Sequence, residues 1–176
     1  MKKYLSLLLL GLFSMVLFSC DNNDNNNTGG DGDTYSVIYD ITDNFALDND
    51  VNAYAISRTF NQAIPSSDVV LVYRKSSTTS DGRNVWKLIP QTLYINEGEL
   101  DYSFDFTTKD VYITADGTMD FKTETTAFWN SYLNNQTFRI VIVPASVGKN
   151  ANVNYEDYNS VISHYNINDS KVKVLK

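Results

Sequence analysis

Residues 98–107, GELDYSFDFT, decide how this chain is read. Leu100, Tyr102, Phe104 and Phe106 alternate with Asp101, Ser103, Asp105 and Thr107. A period of two puts the apolar set on one face of an extended strand and the polar set on the other. Such a strand is half-buried and keeps a wet outer face, as antiparallel sheets allow.

Working outward, related patterns recur. Tyr35, Val37, Tyr39 and Ile41 share one face of a second extended segment. Val69–Tyr73 and Phe138–Val143 are continuous apolar, β-branched runs, which predicts central strands buried on both faces. Asn52–Phe60, Val85–Ile89, Thr92–Ile95, Val111–Ala115 and Met119–Lys122 are further candidate strands. Asp116-Gly117, between the last two, is a short hairpin signal, while Asp81-Gly82 lies in a longer polar loop, Ser76–Asn84. Pro65, Pro90 and Pro144 fall at strand margins, where a missing N–H does little harm. Helical spacing is confined to two places. Tyr158, Val161, Ile162 and Tyr165 stand at i, i+3, i+4 and i+7, with Asn154 as the expected cap and Asp157 in the first turn. Phe128, Trp129, Tyr132 and Leu133 would form a shorter helical turn. There is no βαβ rhythm and no internal repeat. The expected fold is an all-β sandwich of about 7–8 short antiparallel strands with one short C-terminal helix, a closed β-barrel being the alternative. It would occupy residues 34–176 as a single β-rich domain.

The first twenty residues read differently. Lys2-Lys3 form a charged leader, and Tyr4–Phe18 an apolar, Leu-rich stretch shorter than the ~20 residues a spanning helix needs. It ends at Leu17-Phe18-Ser19-Cys20, which resembles the lipobox of bacterial lipoproteins. Residues 1–19 are thus read as a signal peptide, and Cys20 as the lipidated N-terminus of the mature chain. Two or three acyl chains, each burying CH₂ groups at ~0.8 kcal/mol apiece, hold a protein firmly to a membrane. Residues 20–33, CDNNDNNNTGGDGD, carry no aliphatic or aromatic side chain and are read as a flexible Asn/Asp/Gly tether. Asp24–Gly29 partly mimics a calcium loop, but its twelfth position is Tyr35, where a bidentate Glu is needed. Asp21 and Asp24, just after the Cys, are candidates for a surface-export signal.

Composition narrows the chemistry. The formal charge is −7, from 14 basic and 21 acidic residues. Loss of Lys2 and Lys3 with the leader leaves 12 basic against 21 acidic residues, a charge of −9. No basic patch points to nucleic acid. Cys20 is the only cysteine and His164 the only histidine, too few for an internal disulfide or a zinc site. No Gly-x-Ser-x-Gly elbow accompanies His164, and no dinucleotide or phosphate-binding fingerprint is present, so no cofactor is expected. Carboxylates are abundant, but the sequence singles out no pair in an apolar cleft, as glycoside hydrolysis would require. The aromatic trio Phe128, Trp129 and Tyr132 lies in a Thr- and Asn-rich segment, 123–136. It has two readings: contact residues for a glycan or protein partner on a loop, or a plug for the end of the sandwich.

Four strings carry a family resemblance: residues 67–74 (SDVVLVYR), 86–92 (WKLIPQT), 96–107 (NEGELDYSFDFT) and 137–145 (TFRIVIVPA). Together they are similar to a family of short, uncharacterised Bacteroidota lipoproteins of flavobacterial type, over most of residues 35–165. Some members carry a collagen-like Gly-Pro run after the Cys, where this chain has its Asn/Asp-rich tether. The resemblance implies an envelope lipoprotein and transfers no catalytic residue. The dihydrolipoamide dehydrogenase label that some members bear is contradicted by this sequence, which lacks both a dinucleotide fingerprint and a redox Cys pair. The expectation is a non-enzymatic binding or structural module, anchored in the outer membrane through Cys20 and exposed at the cell surface. Its partner would be a glycan or an envelope protein, and the alternative is a carboxylate-based hydrolase of envelope glycans.

Lipidation is directly testable. Cells fed labelled palmitate should label the wild-type chain and not Cys20→Ala; label retained on the variant would refute the assignment.

Overall fold

The alternating and continuous runs become two packed sheets. The computed structural model describes residues 36–145 and 153–175. Its strands are β1 (Val37–Asp43), β2 (Ala46–Asp48), β3 (Ala53–Thr59), β4 (Val69–Thr78), β5 (Asn84–Leu88), β6 (Gln91–Ile95), β7 (Gly98–Phe106), β8 (Asp110–Gly117), β9 (Gln136–Val143) and β10 (Lys173–Val174). Helix α1 spans Thr126–Tyr132 and helix α2 spans Tyr158–His164. The first sheet has the order β10-β1-β9-β4-β5 and the second β2-β3-β8-β7-β6. All neighbours are antiparallel except β1 and β10. The fold is an all-β sandwich rather than a closed barrel, since each sheet keeps two open edges.

The inner faces interdigitate into one core. Ile41, Val70, Val72, Phe138 and Ile140 of the first sheet meet Ile56, Leu100, Tyr102, Val111 and Ile113 of the second. The chosen strand behaves as its pattern predicts: Leu100 and Tyr102 are fully buried, Phe104 is half-buried, and Asp101, Ser103 and Asp105 are exposed. The apolar face runs off the edge of the core at Phe106, which is 40% exposed.

The first sheet is also covered on its outer face. Tyr73, Trp86, Val141 and Val143 pack there against Tyr158 and Val161 of α2 and Tyr165 at its C-terminal cap. This explains why β4 and β9 read as continuous apolar runs. At β9 every residue but Thr137 is buried. Fully burying one such aliphatic or aromatic side chain contributes roughly 1.5–3 kcal/mol, so the α2 layer is a substantial second core.

Four details depart from the sequence reading. The Asp116-Gly117 signal makes no hairpin: β8 runs through it, with Asp116 opposite Asp101 and Gly117 opposite Leu100. Glycine is required there for close approach, because a Cβ would lie 2.7 Å from the Glu99 carbonyl oxygen and 2.5 Å from the Met119 sulfur. Met119–Lys122 is accordingly not a strand. The Asp120 carboxylate accepts from the Lys122 N–H and starts a 3-10 turn, Phe121–Thr123, that drops Phe121 into the core. The tight turn lies instead at Asn96-Glu97, between paired Ile95 and Gly98, and Gly98 takes φ +144°. Second, ten strands are present among the described residues; β2 and β10, three and two residues long, are too short to leave a pattern. Third, α2 is capped by Asp157, whose side chain accepts from the Asn159 N–H at 3.0 Å, while Asn154 caps the preceding turn through the Glu156 N–H. Fourth, a second helix is present: the Phe128–Leu133 turn is a full α1, capped by Thr125.

Candidate functional site

The trio on α1 points mainly inward. The Thr125 hydroxyl accepts from the Phe128 N–H at 3.1 Å, which starts the helix and aims Phe128 at the core, where it is 3% exposed. Trp129 and Tyr132 are half-buried against the same core. The Trp129 ring meets Tyr54 edge-on with centroids 5.4 Å apart, and its Nε1 donates to the Phe121 carbonyl at 2.9 Å. Phe128 stacks obliquely on Tyr132 at 5.1 Å. The rings close one end of the sandwich, and the indole N–H, the polar handle a ligand would use, is already engaged. Phe128 is therefore not available as a contact residue.

A different constellation lies on the outer face of the first sheet. Asp40 of β1 and Arg139 of β9 stand directly opposite one another. Arg139 donates through Nε and Nη2 to the two Asp40 carboxylate oxygens at 2.7 and 2.8 Å, a bidentate pair. Its Nη1 donates to the Tyr158 hydroxyl at 2.6 Å, and that hydroxyl donates on to Asp169 at 3.3 Å. The guanidinium also lies over the Trp86 ring, 4.3 Å from its centroid. Burial opposes the charge on Arg139, yet the Asp40 carboxylate and the Tyr158 hydroxyl hold its pKa above the usual arginine range. Nothing in the sequence reading singled out this pair. The available signal was the charge itself: Arg139 interrupts the run FRIVIV, and a cation inside a central strand needs a fixed partner.

Beside this network opens a groove of about 670 Å³. Trp86, Lys87, Arg139, Asp157, Tyr158 and Asp169 line it, so it presents both charge signs against an aromatic floor. Lys87, Asp157 and Asp169 are exposed, and Trp86 and Tyr158 are buried. Asp157 is occupied as the cap of α2. His164, in the last turn of α2, is exposed and meets the Tyr165 ring edge-on at 4.7 Å. Among the described residues, no cluster of three or more His, Cys, Asp or Glu is placed to hold a metal, and no helix is long and apolar enough to cross a membrane. Cys20, Asp21 and Asp24 lie outside the described residues, as do the leader, 1–19, and the tether, 20–33.

Tyrosines supply much of the second core and Tyr102 part of the first, and burial raises their pKa values. Tyr102, Tyr158 and Tyr165 are each pushed up to about 12, chiefly by desolvation, and Tyr73 is raised further. Unfolded tyrosine titrates near pH ~10. Between that value and about 12 the folded state holds protons that the unfolded state has lost, so stability falls as pH rises. The tyrosine contribution is fully present below about pH 10. In an alkaline titration, the tyrosinate absorbance of these buried rings should rise together with loss of the β-sheet circular dichroism signal, above pH ~10. Complete tyrosinate formation near pH 10 with the sheet signal intact would contradict their burial.

No protein-family model, no curated protein and no solved structure matches this chain.

Proposed function

We propose that this chain is an exported envelope protein, lipid-anchored at Cys20 in the outer membrane and displayed at the cell surface, whose sandwich is a non-enzymatic binding module. The anchor rests on the Lys2-Lys3 leader, the apolar stretch Tyr4–Phe18 and the boundary Ser19-Cys20. Asp21 and Asp24 are assigned the sorting role, with residues 20–33 as the tether. The observation that carries the binding reading is the groove beside Arg139. Its rim offers an ammonium at Lys87, carboxylates at Glu156 and Asp169 and amides at Asn84 and Asn159, donors and acceptors suited to the hydroxyls of a glycan. A protein partner of the envelope is the other occupant compatible with that rim.

One observation favours the rival reading, a carboxylate-based glycan hydrolase. Asp157 and Asp169 line the same groove as Trp86 and Tyr158, so carboxylates and aromatic rings share one cleft. In that case Asp169→Asn would abolish release of reducing ends from envelope polysaccharide.

The test compares tagged wild type with the double variant Lys87→Ala/Asn159→Ala in capture from the native envelope. Both side chains are exposed, so the variant should melt within a few degrees of wild type. Wild type is expected to enrich a glycan or envelope protein that the variant retains at least ~10-fold less well, a loss of ~1.4 kcal/mol. Equal capture by both proteins would remove the groove as the site, and no enrichment over a tag-only control would remove the binding module.

A further inference from the structure

Two arginines are buried on the described strands, and among the described residues only one has a carboxylate partner. Arg139 and Arg74 are 8% and 7% exposed. Arg139 holds a bidentate carboxylate and a tyrosine hydroxyl. Arg74 continues the inner face of β4 after Val70 and Val72, at the end of the sandwich closed by α1. Its guanidinium lies 4.8 Å over the Tyr102 ring, a contact that uses none of its N–H groups. No carboxylate pairs with it among the described residues, and its Nε is buried without a hydrogen bond. A cation taken from water without a counter-charge is expensive, and proteins ordinarily pair it. Burial also drives the Arg74 pKa downward, which agrees with the missing counter-charge.

Three carbonyls beside the pocket are already engaged. At the C-terminal end of α1, the Ser131 and Asn134 carbonyls accept from the Gln136 side chain, and the Tyr132 carbonyl accepts from the Tyr102 hydroxyl. Arg74 instead lines a pocket of about 290 Å³, with Lys75, Ser131, Asn135, Gln136 and Thr137 among its walls. In a chain with 21 acidic residues, the residues that line this pocket include Arg74, Lys75, serines, threonines and amides, and no Asp or Glu. It shares no residue with the groove beside Arg139.

We propose that this pocket binds a compact oxyanion, the size of a carboxylate, sulfate or phosphate group, with Arg74 as its anchoring cation. Guanidinium N–H groups match such an anion in charge and geometry. The Ser76, Ser131 and Thr137 hydroxyls and the Gln136 amide are engaged within the fold, which leaves Ser77, Thr78 and the Asn135 amide as the further donors of the lining. The anion stands where a structural carboxylate stands for Arg139.

The test is a titration of the full chain in neutral detergent, followed by backbone amide NMR. Sodium acetate, sulfate and phosphate are compared with sodium chloride at matched ionic strength. At least one oxyanion should give saturable shifts, with a midpoint at least ~10-fold below that of chloride, centred on residues 74–78 and 131–137. Arg74→Met, which removes a charge that has no carboxylate partner among the described residues, should abolish them. Asn135→Asp is nearly isosteric, and aspartate tolerates the left-handed backbone at this position, where φ is 52°. It brings a carboxylate into the pocket and should weaken oxyanion binding at least ~10-fold; it decides the matter should Arg74→Met fail to fold. Shifts no stronger than those from chloride, shifts that persist in folded Arg74→Met, or a midpoint left unchanged by Asn135→Asp would overturn the proposal.

Discussion

The antiparallel pairing of β4 with β9 is buried on both faces, and the rest of the molecule is arranged around that constraint. Inward, Val70, Val72, Phe138 and Ile140 need a second sheet to cover them, and β8 and β7 provide it through Ile113, Val111, Leu100 and Tyr102. Outward, Tyr73, Val141 and Val143 need a third layer, and α2 provides it. A helix of seven residues has no independent stability. It exists because Asp157 caps it and because Tyr158, Val161 and Tyr165 find an apolar sheet face waiting. The two-sided burial also sets the electrostatic problem of the fold, since any charge on these strands leaves water.

The chain meets that problem in two ways. At Arg139 it supplies a partner from each side: Asp40 from the neighbouring strand, Tyr158 from the covering helix and the Trp86 ring beneath the guanidinium. Removing one member of such a network leaves the others buried and unpaired, so it locks α2 onto the sheet. At Arg74 the described residues supply the ring of Tyr102 and no carboxylate, and the residue lines a small pocket without acid. The contrast is informative because both residues belong to the same sheet and are buried to the same degree. The network at Arg139 spends its polar groups on the fold, while the Arg74 Nε is buried without a hydrogen bond among the described residues.

Strands with a period of two, or with long apolar runs, were legible in the sequence because their burial is decided by the strand itself. That is true of β7, β4 and β9, and of the i, i+3, i+4, i+7 face of α2. Features set by the partner strand were not. Asp116-Gly117 has the composition of a turn, yet β7 continues alongside and keeps it in the ladder. Asp157 and Asn154 are both good caps, and the choice between them depends on where the helix first meets the sheet. The aromatic trio was ambiguous for the same reason. Thr- and Asn-rich surroundings suggest a loop, but the position of Tyr54 and the Phe121 carbonyl decides where Trp129 points. The groove and the Arg74 pocket assemble from residues far apart in the chain, so no local motif announces either. Only the two arginines inside apolar runs, Arg74 in VVLVYR and Arg139 in FRIVIV, marked them.

Native-state hydrogen exchange tests the two-sided burial most directly. Amides of β4 and β9 at Val70, Val72, Ile140 and Ile142 lie in central ladders under two layers of side chains. They should exchange only through global unfolding, with free energies equal to that from denaturant melts. Those of β6, an edge strand of the second sheet, should exchange faster through local opening. Truncating Val161, fully buried in α2, should lower protection across β4 and β9 together. Protection of β4 and β9 no greater than that of β6, or unchanged by Val161→Ala, would contradict it.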